Sequence, residues 1–284
     1  MFDVLESGLV LSLALSVMFA VGLDLDLRKL LRSVSLRLPL VRGLAVNLLL
    51  IPFFVVGCLA YFELDAASSA GILLCALCAG GSTGLLFSLH GRGDPSCALT
   101  LFMLLNLVSL VLMPVYIVLM VNFFGLTSNG GGPIGILSAA LLSVLLFQIM
   151  PLIAGQAVRY VHVTAAERLY PVCKKVADIS LVSLFVGFAI ARGEYLAAMP
   201  LSLVGALVLV VFGSVGLSML FSTPTNASGR ALLYVTVVRN LTLALLINDR
   251  IFGESEITLV ILAYGLLMYV VCGLLLFTGK RLQW

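Results

Sequence analysis

The amino-acid sequence predicts an all-helical integral membrane protein, because of its composition and its long apolar runs. Hydrophobic residues make up 62% of the 284 positions and charged residues only 10%, whereas about a quarter of the residues in ordinary globular domains are charged. A helix needs about 20 apolar residues to cross a bilayer, and runs of this kind recur along the chain. They are too long and too uniform for the alternating segments of about ten residues in a membrane barrel. We therefore expect one multi-pass transmembrane domain over residues 1–284, embedded in lipid.

Division of the chain at its charged and turn residues predicts nine membrane-spanning helices. A helix satisfies its own backbone hydrogen bonds, which lipid-exposed segments require. The N-terminal residues MFDVLES are acidic, unlike the basic start of a signal peptide, so we expect the first apolar run to be retained as a helix. The nine predicted spans are residues 6–23, 38–61, 67–90, 95–124, 131–158, 169–191, 195–221, 228–248 and 255–279.

The basic residues predict the direction in which these helices cross the membrane. If the N-terminus lies outside, thirteen of the sixteen lysine and arginine residues fall on the inner side, two (Arg192 and Arg250) fall outside, and Arg239 lies within a span. An excess of basic residues marks the cytoplasmic side, and an odd number of spans then places the C-terminus in the cytoplasm. The inner set is Arg28, Lys29, Arg32, Arg37, Arg42, Arg92, Arg159, Arg168, Lys174, Lys175, Arg230, Lys280 and Arg281.

The third predicted span is interrupted by small and polar residues at mid-membrane depth. Its centre reads AGGSTG over residues 79–84 and contains Gly80, Gly81, Ser82 and Thr83. Glycine is about 1 kcal/mol less favourable than alanine in a helix in water, but in a bilayer small residues also line close helix–helix contacts. This segment alone leaves two interpretations open: close packing, or a helix that breaks and exposes its ends to a polar cavity.

The eighth predicted span favours the second interpretation. Arg239 is nine residues from both Arg230 and Asn248, too deep to reach an interface by snorkelling, and a charge at such a depth is expensive. Polar interruptions in two spans, one in each half of the chain, are typical of inverted-repeat transporters, in which two discontinuous helices cross at the midplane and line the substrate site. We predict discontinuous helices over about 67–90 and 228–248. The polar residues of the second interruption, TVVRNLT, are Thr236, Arg239, Asn240 and Thr242.

At four places the chain resembles the bile acid:sodium symporter family. Residues 17–27, VMFAVGLDLDL, resemble a phenylalanine-and-glycine segment, and residues 46–52, VNLLLIP, a glutamine-to-proline segment. Residues 78–94 resemble a Cys-Pro-Gly-Gly motif followed by Gly-Asp, and residues 230–240 reproduce an arginine followed ten positions later by an asparagine. The resemblance covers most of the chain, and its specificity lies in the order and spacing of the motifs.

This resemblance implies a divergent nine-helix member with a panel domain and a core domain that contains two crossing broken helices. It further implies transport of organic anions, such as bile acids, by alternating access, driven in most members by two sodium ions near the crossover. The usual sodium ligands are nevertheless largely replaced. Only Asn47 and Asn240 keep amide side chains at matching places, as a residual sodium site. The replacements are Gly84 and Leu85 for serine and asparagine, Val235 for glutamate, Arg239 for glutamine, and Ala98 and Phe102 for hydroxyl residues.

We expect Arg239 to be a fixed positive charge where a bound sodium would otherwise lie, since a guanidinium stays protonated at biological pH. Like charges about 4–5 Å apart repel by several kcal/mol at an effective dielectric near 20, so cation binding is disfavoured. The planar fork suits carboxylate, sulfate or phosphate groups, and half-helix N-termini add partial positive charge. A strut bound to backbone carbonyls is the alternative role, and both roles can hold together. The predicted anion-binding residues are Arg239, Asn240, Ser82, Thr83, Gly80, Gly81, Thr236, Thr242 and Asn47.

The other conspicuous residues have structural interpretations. The six cysteines lack zinc-site spacing and are expected to be buried, reduced thiols. Tyr264, Met268 and Tyr269 are expected to contact the core or lipid. Asp178 follows Lys174 by four residues, a spacing that predicts an ion pair on a helix, and a proton-coupling role is the alternative.

The sequence thus predicts a secondary transporter of a small organic anion, with weakened or absent sodium coupling and no cofactor. Two rivals stay open: a conventional sodium-coupled symporter, and a non-transporting membrane receptor or scaffold. An enzyme is not expected, because Ser82 has no histidine within the membrane to activate it, and no nucleic-acid-binding signature occurs. Substrate identity, transport direction and oligomeric state are not predicted.

Overall fold

The structure is a computed structural model that describes residues 2–24, 37–124, 138, 141–142, 145–191, 193–194 and 198–281. Over these residues it is helical without any strand, as the predicted fold class requires. Four of the basic residues used for the orientation, Arg28, Lys29, Arg32 and Arg192, lie outside the described residues.

The described residues form twelve α-helices and three π-helical turns. Three π-helical turns, Val46–Leu50, Leu145–Ile149 and Asn248–Phe252, adjoin α-helices. The α-helices are α1 (Phe2–Asp24), α2 (Arg37–Ala45), α3 (Ile51–Phe62), α4 (Ala66–Leu77), α5 (Thr83–His90), α6 (Pro95–Phe124), α7 (Met150–Val161), α8 (Val163–Ala191), α9 (Leu201–Phe221), α10 (Ala227–Val237), α11 (Leu241–Ile247) and α12 (Ser255–Arg281).

Several described helices have the length and the surface that a bilayer requires. The two arms of α6 bend by 52° and add a fifth candidate span if they count as one. Large apolar side chains lie exposed on the outside of the bundle, including Phe53 at 75% and Phe123 at 77%, which is the surface expected against lipid. The four stretches long and apolar enough to cross a membrane without such a bend are Leu38–Phe62, Leu201–Phe221, Ala227–Phe252 and Ser255–Gly279.

The helices fall into two packed groups. α1, α7 and α8 pack against one another, and we call them the three-helix layer. The other helices form the core bundle, in which α12 packs against α4, and α10 packs against α5, α6 and α9. The layer meets the bundle where α1 contacts α11 and α8 contacts α12.

Both polar segments singled out in the sequence coincide with interruptions of helices. One helix ends at Leu77 and the next begins at Thr83, and a second pair is separated between Val237 and Leu241. Gly80 has a φ of +80°, a backbone conformation that glycine adopts without a steric penalty. The glycine-rich and polar composition of these segments thus ends each helix inside the bundle.

The two interruptions are in direct contact, and we call the junction of residues 78–82 and 238–240 the crossover. The backbone N–H of Asn240 donates to the carbonyl of Cys78 at 2.8 Å, and the N–H of Gly81 donates to the carbonyl of Val238 at 3.1 Å. Backbone groups freed by the broken helices are in this way paired with each other, as the interior of a membrane protein requires.

Gly81→Ala is expected to destabilise the crossover and to lower the melting temperature in detergent. A Cβ at Gly81 would contact the carbonyl oxygen of Arg239 and lie 2.9 Å from Val238 Cγ1. Overpacking of this kind costs about 1–3 kcal/mol. Gly216→Ala is the matched control, because a Cβ at Gly216 would meet nothing within 4 Å. Equal melting temperatures for the two variants would contradict the close approach described for the crossover.

Candidate functional site

A cavity of about 240 Å³ lies between the three-helix layer and the core bundle and reaches the crossover. α1 and α8 form one wall, and α5, α6, α11 and α12 contribute to the other. The walls are mostly apolar, with side chains such as Leu13, Val17, Leu86 and Met103. A concave, largely apolar cavity with a few polar groups is the usual form of a site for a small molecule.

The crossover supplies the neutral polar groups of this cavity. Ser82, Thr83 and Thr242 are partly exposed there, and the Thr83 hydroxyl lies 3.2 Å from the hydroxyl of Tyr269. Hydroxyl groups can donate to or accept from a ligand. The crossover residues that line the cavity are Gly81, Ser82, Arg239 and Asn240, and they are followed by Thr83 of α5 and by Leu241 and Thr242 of α11.

The three-helix layer supplies the charged groups. Asp24 of α1 and Lys174 and Asp178 of α8 line the cavity, together with Tyr170. The structure has no ion pair between Lys174 and Asp178, so the contact that their spacing predicted is not made. Both side chains instead lie on the cavity wall.

Arg239 is buried at the crossover, with 1% of its surface exposed. Its Nη1 donates to Asn47 Oδ1 at 3.0 Å and to the carbonyl of Ala76 at 3.4 Å. Its backbone N–H donates to Met268 Sδ at 3.1 Å. Neither Asn47 nor Ala76 lines the cavity. Arg239 itself lines the cavity, while the two acceptors of its Nη1 lie outside the lining.

The charge of Arg239 has no counter-ion among the described residues. Its Nε and Nη2 have no hydrogen-bond partner there, and no carboxylate of those residues forms an ion pair with it. Its neighbours are the hydroxyl of Tyr264, which makes no hydrogen bond of normal geometry, and the thiols of Cys75 and Cys78. Removal of one partner from a buried ion pair costs about 3–5 kcal/mol. A bound anion near the unpaired guanidinium would offset a cost of this kind. The crossover is electrically positive as a result.

Asn47 connects Arg239 to Thr236 of α10. It lies in the π-helical turn Val46–Leu50 and is 1% exposed. Its Nδ2 donates to the carbonyl of Gly43 at 2.8 Å and to Thr236 Oγ1 at 2.9 Å, while its Oδ1 accepts from Arg239. Single π-helical turns inside helices are frequent at functional sites. All hydrogen-bonding groups of this amide are thus used inside the protein.

Asn240 is the N-cap of α11 and has a second partner in α6. Its Oδ1 accepts from the backbone N–H of Leu243 at 3.1 Å, and its Nδ2 donates to Asn106 Oδ1 at 3.2 Å. Asn106 Nδ2 in turn donates to the carbonyls of Gly80 at 3.0 Å and Phe102 at 2.8 Å. Both interruptions are therefore connected through one side chain of α6.

The structure separates the nine predicted binding residues into two groups. Six line the cavity: Arg239, Asn240, Ser82, Thr83, Gly81 and Thr242. The other three do not line it and lie behind it: Asn47, Thr236 and Gly80.

Three contacts at the site were not predicted from the sequence. Tyr269 packs against the hydrophobic core, as expected, but it also lines the cavity and contacts Thr83. Met268 accepts from the backbone of Arg239. Asn106 was not singled out, although an amide within the apolar run of α6 is a polar group at membrane depth and therefore a signal of a specific contact.

Comparison with protein-family models matches residues 10–199 to the sodium bile acid symporter family. This region holds 190 of the 284 residues, two thirds of the chain. The chain belongs to the sodium bile acid symporter family. Membership makes it a multi-pass membrane transport protein and suggests sodium-coupled transport of organic anions. The second interruption and Arg239 lie beyond the matched residues. Comparison with curated proteins gives no match.

Proposed function

We propose that this sodium bile acid symporter family member is a secondary transporter of small organic anions, in which Arg239 replaces the co-transported sodium. The observation that carries the proposal is the position of the guanidinium, 1% exposed and bonded to Asn47 and Ala76 beside both interrupted helices. Alternating access would come from movement of the three-helix layer relative to the core bundle around the crossover.

The fixed charge would act on the anion through space. A unit charge about 8 Å from an anionic group contributes about 2 kcal/mol at an effective dielectric near 20. Ser82, Thr83 and Thr242 would contact the anion directly, because their side chains line the cavity. Arg239 would thus set the preference for negative charge, and the hydroxyl groups would set the position of the anionic group.

Several features support weak sodium coupling. Asn47 Oδ1 already accepts from Arg239, and Asn240 Oδ1 from Leu243, so the two amide oxygens of the residual sodium site are both in use.

The positions at which the family has sodium-ligand side chains provide no charged ligand in this chain. Gly84 and Val235, which correspond by resemblance to a serine and the glutamate, are neighbours, because a Cβ at Gly84 would lie 3.3 Å from Val235 Cα. Val235 is fully buried and apolar. A sodium ion there would meet no charged ligand from these two positions and would be repelled by Arg239.

We also propose nine spans with inverted repeats, an outside N-terminus and a cytoplasmic C-terminus. The inverted repeats are supported by a feature that both halves share, a capped helix that is interrupted and followed by a shorter helix. α4 begins with Asp65 capping Ser68 N at 2.9 Å, and α10 begins with Asn226 capping Gly229 N at 2.6 Å. Each is interrupted and followed by a shorter helix. The positive-inside bias supports the orientation.

Replacement of an inward sodium gradient by a choline gradient is expected to change the rate of anion uptake less than twofold. Proteoliposomes would be given labelled taurocholate and a panel of smaller carboxylates and sulfates, with inward gradients of sodium or of choline. The fixed charge of Arg239 makes a co-transported cation unnecessary in this proposal. Uptake that rises tenfold or more in sodium would instead identify a conventional sodium-coupled symporter. Specific binding without any uptake would favour a receptor.

A further inference from the structure

The side chain of Asn106 lies between the two interruptions without lining the cavity. Its Nδ2 is 3.0 Å from the carbonyl oxygen of Gly80, and its Oδ1 is 3.2 Å from Asn240 Nδ2. Gly80 and Asn240 belong to different interrupted helices and are 160 residues apart in the sequence. Within the described residues, this amide is the side-chain link that joins them through α6.

The orientation of the Asn106 amide follows from its neighbours. Asn240 Oδ1 must face the N–H of Leu243 in order to cap α11, so Asn240 Nδ2 faces Asn106. Asn106 must then present its oxygen to Asn240 and its nitrogen to the carbonyls of Gly80 and Phe102. An amide supplies both a donor and an acceptor in this arrangement, whereas a carboxylate has no donor and a leucine has neither.

The space around Gly80 is adapted to this contact. A Cβ at Gly80 would lie 2.8 Å from Asn106 Nδ2 and 3.2 Å from Leu105 Cβ. Gly80 has a positive φ, and its carbonyl accepts from Asn106 of α6. The conformation of the first interruption is therefore matched to the position of Asn106.

We propose that Asn106 is a positioning residue that fixes the spacing between the two halves of the polar cavity wall. Ser82 and Thr83 come two and three residues after Gly80, and Thr242 comes two residues after Asn240. A link between Gly80 and Asn240 thus sets how far the hydroxyl groups of the first interruption lie from that of the second. The proposal rests on the proposed function only where it takes these hydroxyl groups as the anion site.

Hydrogen exchange of the full-length protein in nanodiscs, without substrate, tests this role. Asn106→Leu is expected to speed exchange at least tenfold in peptides that contain the amides of Gly81, Asn240 and Leu243, because their acceptors lose their fixed positions. Asn122→Leu is the matched control, since Asn122 is an exposed amide of the same helix, and it should change neither segment. Equal protection in wild type and Asn106→Leu would overturn the proposal.

Asn106→Asp, measured at pH 8, separates the two arms of the link. A carboxylate still accepts from Asn240 Nδ2 but cannot donate to Gly80. Exchange should therefore rise tenfold at the amides of Gly84 and Asn240, whose acceptors are the carbonyls of Gly81 and Cys78 in the first interruption, and stay within twofold at the amide of Leu243, whose acceptor is Asn240 Oδ1. The same change at all three amides would overturn the proposal and would also reveal a general loss of stability. This second variant keeps the test valid if Asn106→Leu does not fold.

The KM of anion uptake provides the functional test. The test uses the panel anion that the wild type takes up fastest. For this anion Asn106→Leu should raise the KM at least tenfold and reduce kcat less than threefold. An unchanged KM would overturn the part of the proposal that concerns the anion site. Sodium dependence of the wild type would overturn the proposed function alone, because neither the hydrogen-exchange rates nor the effect of Asn106→Leu on the KM depends on sodium.

Discussion

Arg239→Gln is expected to reduce anion uptake at least 100-fold, whether sodium is present or absent. The substitution removes the charge of the crossover and weakens the contacts of Nη1 with Asn47 and Ala76. A 100-fold loss corresponds to about 2.8 kcal/mol, which is within the range for removal of a buried charge–dipole interaction. Uptake into proteoliposomes at matched protein content, with a monodisperse elution profile for each variant, measures the effect.

Two further variants test whether the loss of uptake comes from the missing charge of Arg239. Arg239→Lys keeps the positive charge but replaces the planar fork with a single ammonium group, and it should retain at least ten times the uptake of Arg239→Gln. Arg250→Gln removes an arginine that is 38% exposed and lies near Asp249, and it should transport like the wild type. If Arg239→Lys takes up the anion no faster than Arg239→Gln, the arginine acts as a strut and its charge is not needed for transport.

The two interruptions could be predicted from the sequence because their signals are local. Three glycines with two hydroxyl residues, and an arginine beside an asparagine, are incompatible with an unbroken apolar helix at mid-membrane depth. The contact between them could be expected only by analogy with inverted-repeat transporters. It depends on hydrogen bonds such as that from Asn240 N–H to the carbonyl of Cys78, which no local pattern encodes.

The direction of the Arg239 side chain could not be predicted. A guanidinium at the crossover could face either the cavity or the protein interior, and both the anion-binding and the strut interpretations were compatible with the sequence. The direction is set by Asn47, which is 192 residues away in the sequence and accepts from Nη1. Sequence spacing carries no information about such a pair.

Tyr269 and Asn106 show a second limit. One tyrosine in an apolar last helix has the same pattern whether it faces lipid, core or cavity, and only its 3.2 Å contact with Thr83 decides the matter. Asn106 in α6 makes its decisive bonds with Gly80 and Asn240, which belong to two other helices. In an apolar bundle the hydrophobic periodicity that distinguishes helix faces in soluble proteins is weak, because most faces are apolar.

The charge at the crossover suggests how Arg239 could replace sodium. By resemblance, a typical member places one glutamate and two sodium ions there, with a summed charge of +1. This chain has Val235 in place of the glutamate and Arg239 in place of the neighbouring glutamine, which also gives +1. The replacements of the two side chains therefore compensate each other, and neither alone would preserve the charge.

Val235→Glu combined with Arg239→Gln is accordingly expected to create sodium dependence. Val235 is fully buried, so an unpaired carboxylate there costs several kcal/mol unless a cation neutralises it. Sodium should raise uptake by the double variant at least tenfold relative to choline, from a level near that of Arg239→Gln. Val235→Glu alone retains Arg239 as the neutralising charge, and its uptake in sodium and in choline should agree within twofold.

Val237→Glu combined with Arg239→Gln is the matched control for this gain. Val237 is 1% exposed in the same helix, two residues further on, and packs in a different group of buried side chains from Val235. A carboxylate there has the same burial cost but does not lie beside Gly84. Sodium stimulation confined to the Val235 pair would support charge compensation at the crossover. Equal stimulation of both pairs, or of neither, would show that the position of Val235 does not correspond to a sodium ligand.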